Sequence, residues 1–507
     1  MLKYKHTFFS KNTNISAFRM KNYFLPIFLF SVIPFSFSQN CNCDSTFRWL
    51  KETFENNDAG FQYAVDQKVK TDYQYHTAKY FTKIKDITGK EECAEALNEW
   101  LQFFRNGHLW FSINYDNNLP ANEIKKPDPE VIRKQFQNWE TFPYKEKEFN
   151  SYLSSLKEAG LEGIWSSPPY TIGIRKVNNE YIGFIIEADG IYWKKTQIKL
   201  RIKEENGKLN TLFYLQNHST LEISNTRLIG NNYLAMDHIM LKRVQPVYAK
   251  EEAIERHLRL LSAGDPIFER ITDKTVILRI PSFSSSEKKK IDSLIESNKN
   301  ELLTAENLII DLRYNGGGSD ISFQQLLPLL YTNPIREVGV EYLSTPLNNK
   351  RMEEFLTEPD LSEEEKTEIK EALNKLNEHL GEFVNLNDDS SANVVILDTV
   401  YPFPKNIGII INQGNASTTE QFLLAAKQSK KVKLFGTTTA GVLDISNMYF
   451  VASPCNNFKL GYCLTRSKRI PDFTIDRKGI QPDFYIDKEI PEYKWIDFVN
   501  SILSNEY

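Results

Sequence analysis

Cysteine is scarce in this chain, five in 507 residues, and Cys41-Asn42-Cys43 has no second cysteine or histidine pair at ligand spacing, which speaks against a metal site. Lysine and arginine do not cluster with interleaved aromatics, and the net charge is -4, so neither a nucleic-acid face nor another polyanion ligand is expected. The phosphate-cradling patterns G-x-G-x-x-G and G-x-x-x-x-G-K-[ST] are missing at Gly316 to Gly318, which argues against a nucleotide cofactor. Nothing supports thiol or metal catalysis, and no cofactor is expected. Beyond Phe35 no apolar run is long enough to cross a bilayer. What remains, 41% apolar and 25% charged residues, is the composition of a globular chain of roughly two to four domains.

The first residues read as an address. Lys21 gives a positive start, Tyr23 to Phe35 is apolar but broken by Pro26 and Pro34, and Ser36-Phe37-Ser38 closes the stretch. This fits a secretory signal removed after Ser38, with Met20 as an alternative start. The mature protein is therefore expected to be secreted or periplasmic, without an integral membrane span. Attachment as a lipoprotein through Cys41 is a minor alternative, since Ser38 stands where such signals carry leucine. The cysteines suit an oxidising compartment. Cys455 and Cys463 flank a segment that reads as a hairpin and are candidates for a local disulfide, while Cys41 or Cys43 is a candidate partner for Cys93.

Two glycine- and hydroxyl-rich turns follow short apolar runs. Leu308 to Leu312, apolar except for Asp311, reads as a buried parallel strand, and Gly316 to Gly318 can then bring main-chain N–H groups close to a developing negative oxygen. Ile407 to Ile411 behaves alike, and Thr418 to Lys430 has helical spacing, which sets Ser417 at a helix mouth with the Thr418 amide as a natural donor. The competing explanation is local: Ser417 is an N-cap and Glu420, three residues on, completes a capping box. Asp311 and Arg313 read as a charged pair bracing the glycine turn.

The string DLRYNGGG, then NASTTEQF, FGTTTAG and GIQPDF in that order, resembles the C-terminal-processing (tail-specific) serine peptidase superfamily, including its tricorn-type branch, over roughly residues 270 to 490. The resemblance implies an α/β fold with a crotonase/ClpP-like catalytic domain and serine endopeptidase activity. It further implies Ser417 as nucleophile and an oxyanion hole from amides near Gly316, Gly317 and Thr418. One departure matters: where the Ser/Lys branch has its lysine base, Gly436-Thr437-Thr438-Thr439-Ala440-Gly441 is followed by Val442. Another group must take the serine proton. The tricorn-type branch uses an upstream histidine, and Leu101 to Leu109 (LQFFRNGHL) resembles its segment, which makes His108 the candidate base, ahead of His218 and His238. By the same resemblance Asp476, three residues before Gly479-Ile480-Gln481-Pro482-Asp483, is the candidate that orients the histidine.

The organisation follows from pattern. After the signal at 1–38, residues 39–165 read as a mainly helical N-terminal region, with Phe47, Leu50 and Phe54 on one stripe and Cys93, Leu97 and Leu101 on another. Residues 166–250 alternate as half-buried strands, with Asn206-Gly207 at a hairpin turn, and lack the carboxylate-binding loop of a PDZ domain. Their aromatics, Phe184, Trp193 and Phe213 among them, are expected in the core. Residues 251–507 form the catalytic domain, interrupted at about 345–390 by a helical insertion opening on the capping box Ser362 to Glu365; it reads as a solvated hairpin or a lid. The chain is thus expected to be a secreted serine endopeptidase acting on peptides or proteins through an acyl-enzyme on Ser417. The alternative is a non-catalytic ligand- or peptide-binding protein on the same fold.

Overall fold

Leu308, Ile309 and Ile310 lie on the strand Asn307–Asp311, whose five residues are all buried, as a branched apolar run covered on both faces should be. Its neighbours Thr275–Arg279 and Asn406–Ile411 run parallel to it, with Ile277 opposite Ile309 and Ile309 opposite Gly408. Val432–Gly436 and Phe484–Tyr485 continue in the same direction, and Ile267–Arg270 closes the other edge antiparallel, making a six-stranded sheet. Because Asn307–Asp311 and Asn406–Ile411 are adjacent and parallel, their carboxyl ends stand side by side. Both glycine-rich turns emerge there, where open α/β sheets hold their ligands.

The computed structural model describes residues 42–115, 128–358, 361–387 and 390–505; the expected signal at 1–38 and Cys41 lie outside them. The described residues divide into two units, one of 42–115, 263–490 and 495–505, the other of 128–262 with 491–494.

In the first unit, a second sheet joins Trp110–Ile113, Phe458–Ser467, Val340–Leu343, Phe383–Val384 and Ile445–Ala452. The helices Cys43–Asn57, Phe61–Asp66, Lys70–Lys83 and Lys90–Gln102 form as expected but are not a domain by themselves. Phe47, Phe54, Leu97 and Trp100 share one core with Tyr449, Phe458, Leu460 and Tyr462, so this sheet covers the helices' apolar stripes. The insertion is a helix pair, Pro346–Phe355 and Glu363–Glu378, the latter opening on the expected Ser362/Glu365 capping box. Buried polar bonds anchor it: Asn348 Nδ2 donates to Asn57 O at 2.9 Å, and Tyr462 Oη donates to Asn348 Oδ1 at 2.9 Å.

Cys43 and Cys93 form a disulfide between the first and fourth helices, one of the two pairings open to Cys93. The local Cys455–Cys463 disulfide does not form: Cys455 is disulfide-bonded elsewhere, and Cys463 is a free, buried thiol. The hairpin is present, but Cys463 stands opposite Met448 well up the strand, whereas Cys455 sits in the turn. At about 3.4 Å per residue the two are far beyond the roughly 4.4–6.8 Å that a disulfide spans between Cα atoms.

In the second unit, eight antiparallel strands from Gly163–Ser167 to Ile239–Gln245 close into a barrel. Asn206 and Gly207 both take positive φ, 53° and 73°, as a two-residue hairpin turn requires. Trp165, Trp193, Leu200 and Phe213 fill the interior, and Phe184 is buried beside Phe149. A bulge pairs Ile198 with Phe184 and Leu200 with Gly183, leaving Lys199 as the extra residue. Lys199 is only 1% exposed, with Nζ 4.0 Å from the Trp193 ring centroid and 4.5 Å from that of Tyr170, and burial pushes its pKa down to about 7.

Candidate active site

The Ser417 turn is built by asparagines. Asn412 Oδ1 accepts from the amides of Gly414 and, across the sheet ends, Tyr314, both at 3.0 Å. The fully buried Asn415 donates through Nδ2 to Asn315 O at 3.1 Å, and Thr419 Oγ1 donates to Asn315 Oδ1 at 2.8 Å. These bonds stitch the two turns together. The helix Thr418–Ala426 then starts, and the Thr418 amide, in its first turn, has no intrahelical acceptor. Ser417 is half-buried and held at φ 57°, ψ -126°, a conformation that costs a non-glycine residue energy and recurs where a serine is presented at a sharp strand-to-helix turn.

Gly317 lies directly against this turn. A Cβ placed on it would sit 2.9 Å from Ser417 Cβ, 2.8 Å from Thr418 N and 2.7 Å from Ala416 O, at φ 100°. The structure therefore brings together Ser417, Thr418 and the triple-glycine bend. The Gly317 amide itself is engaged, donating to Asn315 Oδ1 at 3.0 Å. Among the described residues no such bond occupies the amides of Gly316 and Thr418, which leaves these two of the three expected donors open. Asp311 and Arg313, both fully buried, brace the bend as the sequence suggests: Arg313 Nε and Nη2 donate to the two carboxylate oxygens at 3.0 and 2.7 Å. Burial opposes the Asp311 charge, but Arg313 outweighs it and holds the pKa below the usual carboxylate value.

His108 belongs to the same unit. It sits between the fourth helix and Trp110–Ile113, the strand that pairs with Phe458–Gly461. A Cβ on Gly107 would meet the Val442 side chain at 2.5 Å, and Val442 O accepts the Ser417 amide at 2.9 Å, so one residue separates the histidine turn from the serine turn. His108 Nδ1 lies 2.7 Å from Ile445 O; since a carbonyl only accepts, Nδ1 carries the proton and Nε2 the lone pair. Burial lowers the imidazole pKa. The other histidines fill different roles. His218 is stacked between Phe136 and Trp193 in the barrel unit, with Nε2 2.7 Å from Tyr192 O, and His238 is exposed beside Asp237.

Among the described residues Asp476 makes no hydrogen bond to His108, whose Nδ1 lies on Ile445 O. Its Oδ1 accepts the amides of Leu443 and Asp444, each at 2.7 Å, while Asp444 Oδ2 accepts those of Ile475 and Asp476 at 2.6 and 2.8 Å. This reciprocal clasp fixes the backbone just ahead of Ile445, so Asp476 reaches the imidazole only through the main chain. Burial pushes the Asp476 pKa up.

Glu420 has a larger part than a cap. Its Oε2 does accept the Ser417 amide at 3.3 Å, the backbone half of a capping box. The residue is also fully buried, with Oε1 accepting from Thr439 Oγ1 at 2.5 Å and Gly441 N at 2.8 Å, and Oε2 from Val442 N at 2.8 Å. Burial raises its pKa against the bonds from Thr439, Val442 and Gly441. The carboxylate thus locks the serine turn to the Thr439–Val442 turn that touches Gly107. The S-x-x-E spacing shows the local bond alone; the reach across the sheet has no sequence signal.

Residues 274–486 match the model of peptidase family S41. No curated protein matches the chain. Among solved structures it is similar to mature CPAF, at 12% identity over 92% of this chain and 98% of that one, TM-score 0.48. It is also similar to the photosystem II D1 C-terminal processing protease, at 10% identity over 89% and 95%, TM-score 0.36. The tricorn protease aligns at 10% identity over 92% of this chain and 36% of its own, TM-score 0.40. The matched residues 274–486 hold the triple-glycine bend, Ser417 and the turn that Glu420 binds, and over them the chain is similar to peptidase family S41.

Proposed function

We propose that the protein is a secreted serine endopeptidase whose catalytic domain, expected at 251–507 and drawn from the unit that holds 263–490, is crotonase/ClpP-like. Ser417 attacks the scissile carbonyl, and His108 Nε2 takes the hydroxyl proton as general base. The amides of Gly316 and Thr418 receive the oxyanion, with Gly317 shaping the hole rather than donating to it. The leaving amine then takes the proton from His108, and water clears the acyl-enzyme by the same route in reverse. The observation that carries this reading is the packing of Gly317 on Ser417 and Thr418, which sets open amides beside a half-buried serine at a helix mouth. The Nδ1–H bond to Ile445 O supports the base, because it leaves Nε2 unprotonated. The Cys43–Cys93 disulfide supports an oxidising compartment, and no described helix is long and apolar enough to cross a membrane.

Fluorophosphonate labelling of the intact protein, beside Ser417→Ala and His108→Ala and with casein as a general substrate, tests the proposal. The expected result is labelling and casein cleavage in the wild type and neither in Ser417→Ala. A folded wild type that takes no label would favour a binding protein on this scaffold.

A further inference from the structure

His108 has a positive φ of 53°, a region a β-carbon disfavours, so something must hold it there. The holding group is Arg105, 7% exposed, in the turn after the fourth helix. Its Nε donates to Gly107 O at 3.2 Å and its Nη2 to His108 O at 3.0 Å, so one planar fork grips two successive carbonyls. The fork is itself fixed. Asp58, at the end of the helix Cys43–Asn57 and 2% exposed, receives Nη1 on Oδ1 at 2.7 Å and Nη2 on Oδ2 at 2.5 Å. Its remaining capacity goes to Gly60 N at 2.9 Å and, on the strand Phe458–Ser467, to Cys463 N at 3.0 Å. The Cys463 thiol donates to His108 O at 3.4 Å, and burial, by raising its pKa, keeps it a donor.

We propose that Asp58 and Arg105 are positioning residues for His108: the guanidinium, clamped by Asp58, holds the Gly107 and His108 carbonyls so that the ring gives Nδ1–H to Ile445 O and keeps Nε2 free for proton transfer. The proposal rests on His108 being the base. It assigns to a carboxylate–guanidinium pair, acting on the backbone, the orienting task that a carboxylate bonded to Nδ1 performs in a Ser-His-Asp triad. The charged and titratable groups about this turn are Arg105 and Asp58, the Cys463 thiol, Asp476 beyond Arg105, and Arg477 and Lys68, which donate to the Phe104 and Phe103 carbonyls just ahead of Arg105.

The test uses full-length protein, fluorophosphonate labelling resolved into probe affinity and maximal rate, and 15N signals of the His108 ring. In wild type above its titration the ring is expected to show one tautomer, protonated at Nδ1; an Nε2-protonated or averaged ring overturns the proposal, whatever the variants do. Arg105→Lys keeps the charge but cannot span both carbonyls. It is expected to lower the maximal labelling rate about tenfold or more, to leave probe affinity within about threefold, and to average the tautomers. If Arg105→Lys does not fold, the charge-free pair Asp58→Asn with Arg105→Gln takes its place with the same expectations. A folded variant with wild-type rate and a single tautomer, alongside an inert His108→Ala, overturns the positioning role and leaves the base intact. Wild-type labelling of His108→Ala overturns both.

Discussion

Replacing Gly317 with alanine would place a methyl carbon 2.7 Å from Ala416 O, 2.8 Å from Thr418 N and 2.9 Å from Ser417 Cβ. None of these atoms is the far end of a flexible side chain. Ordinary carbon contacts begin near ~3.5 Å, so the bend must retreat from the serine turn by roughly half an ångström or more. Overpacking of this kind costs about 1–3 kcal/mol of stability, and a β-carbon at φ 100° adds about 1–2 kcal/mol. A catalytic effect comes on top: on the proposed assignment, displacing the bend misplaces the Gly316 amide, and losing one oxyanion donor costs about 3 kcal/mol of barrier, roughly a hundredfold or more in rate. The assay is the fluorophosphonate labelling rate at matched folded fraction, with casein hydrolysis in parallel. Gly316→Ala is the internal control, since a Cβ there meets no atom within 4 Å and φ is not in the left-handed region. It should label within about threefold of wild type. Wild-type labelling by Gly317→Ala, or an equal loss in both variants, would refute the placement of the oxyanion hole.

Glu420→Gln turns one buried acceptor into a donor, which on the Oε2 side would face the amides of Val442 and Ser417. We expect a loss of about 1–3 kcal/mol in stability by thermal melting and slower Ser417 labelling; an unchanged melting temperature would show that the carboxylate lock is dispensable. Because burial lowers the His108 pKa, the base stays neutral below the ordinary histidine range, so the acid limb of the labelling–pH profile should fall below about 6.5; a limb above that value would contradict the buried placement. Lys199, with a folded pKa of about 7 against 10.5 for the free side chain, binds its proton less readily when folded. Stability should rise with pH between these values and be lost as pH falls toward 7, by roughly 5 kcal/mol in all. Urea unfolding followed by tryptophan fluorescence should lose this slope in Lys199→Met, and an equal slope in both proteins would be the contrary result.

The sequence made legible whatever depends on neighbours along the chain. Leu308 to Leu312 and Ile407 to Ile411 are apolar runs closed by glycine or asparagine, and both are buried parallel strands ending at the candidate site. Alternation and Asn206-Gly207 revealed the strands of the middle module, although their closure into a barrel depends on Ile164 to Ser166 meeting Lys242 to Gln245. What stayed hidden depends on partners far apart in the chain. Glu420 reads as a cap because its bonds to Gly441 and Val442 lie beyond the reach of helical spacing. Asp476 was chosen by motif position, yet its carboxylate turns to the Leu443 and Asp444 amides. The N-terminal helices read as separate because nothing in residues 43–102 announces that Tyr449, Phe458 and Tyr462 will cover them. Cys463 was paired with Cys455 on proximity in sequence, which a straight strand defeats.

The pairing of Trp110–Ile113 with Phe458–Gly461 also orders events during biosynthesis. On the proposed assignment, the base leaves the ribosome early and the serine late, and the strand that docks the base is translated later still. An unfinished polypeptide therefore carries a histidine with nowhere to sit. On that assignment, hydrolysis becomes possible only when the last third of the chain has been made and has captured the first.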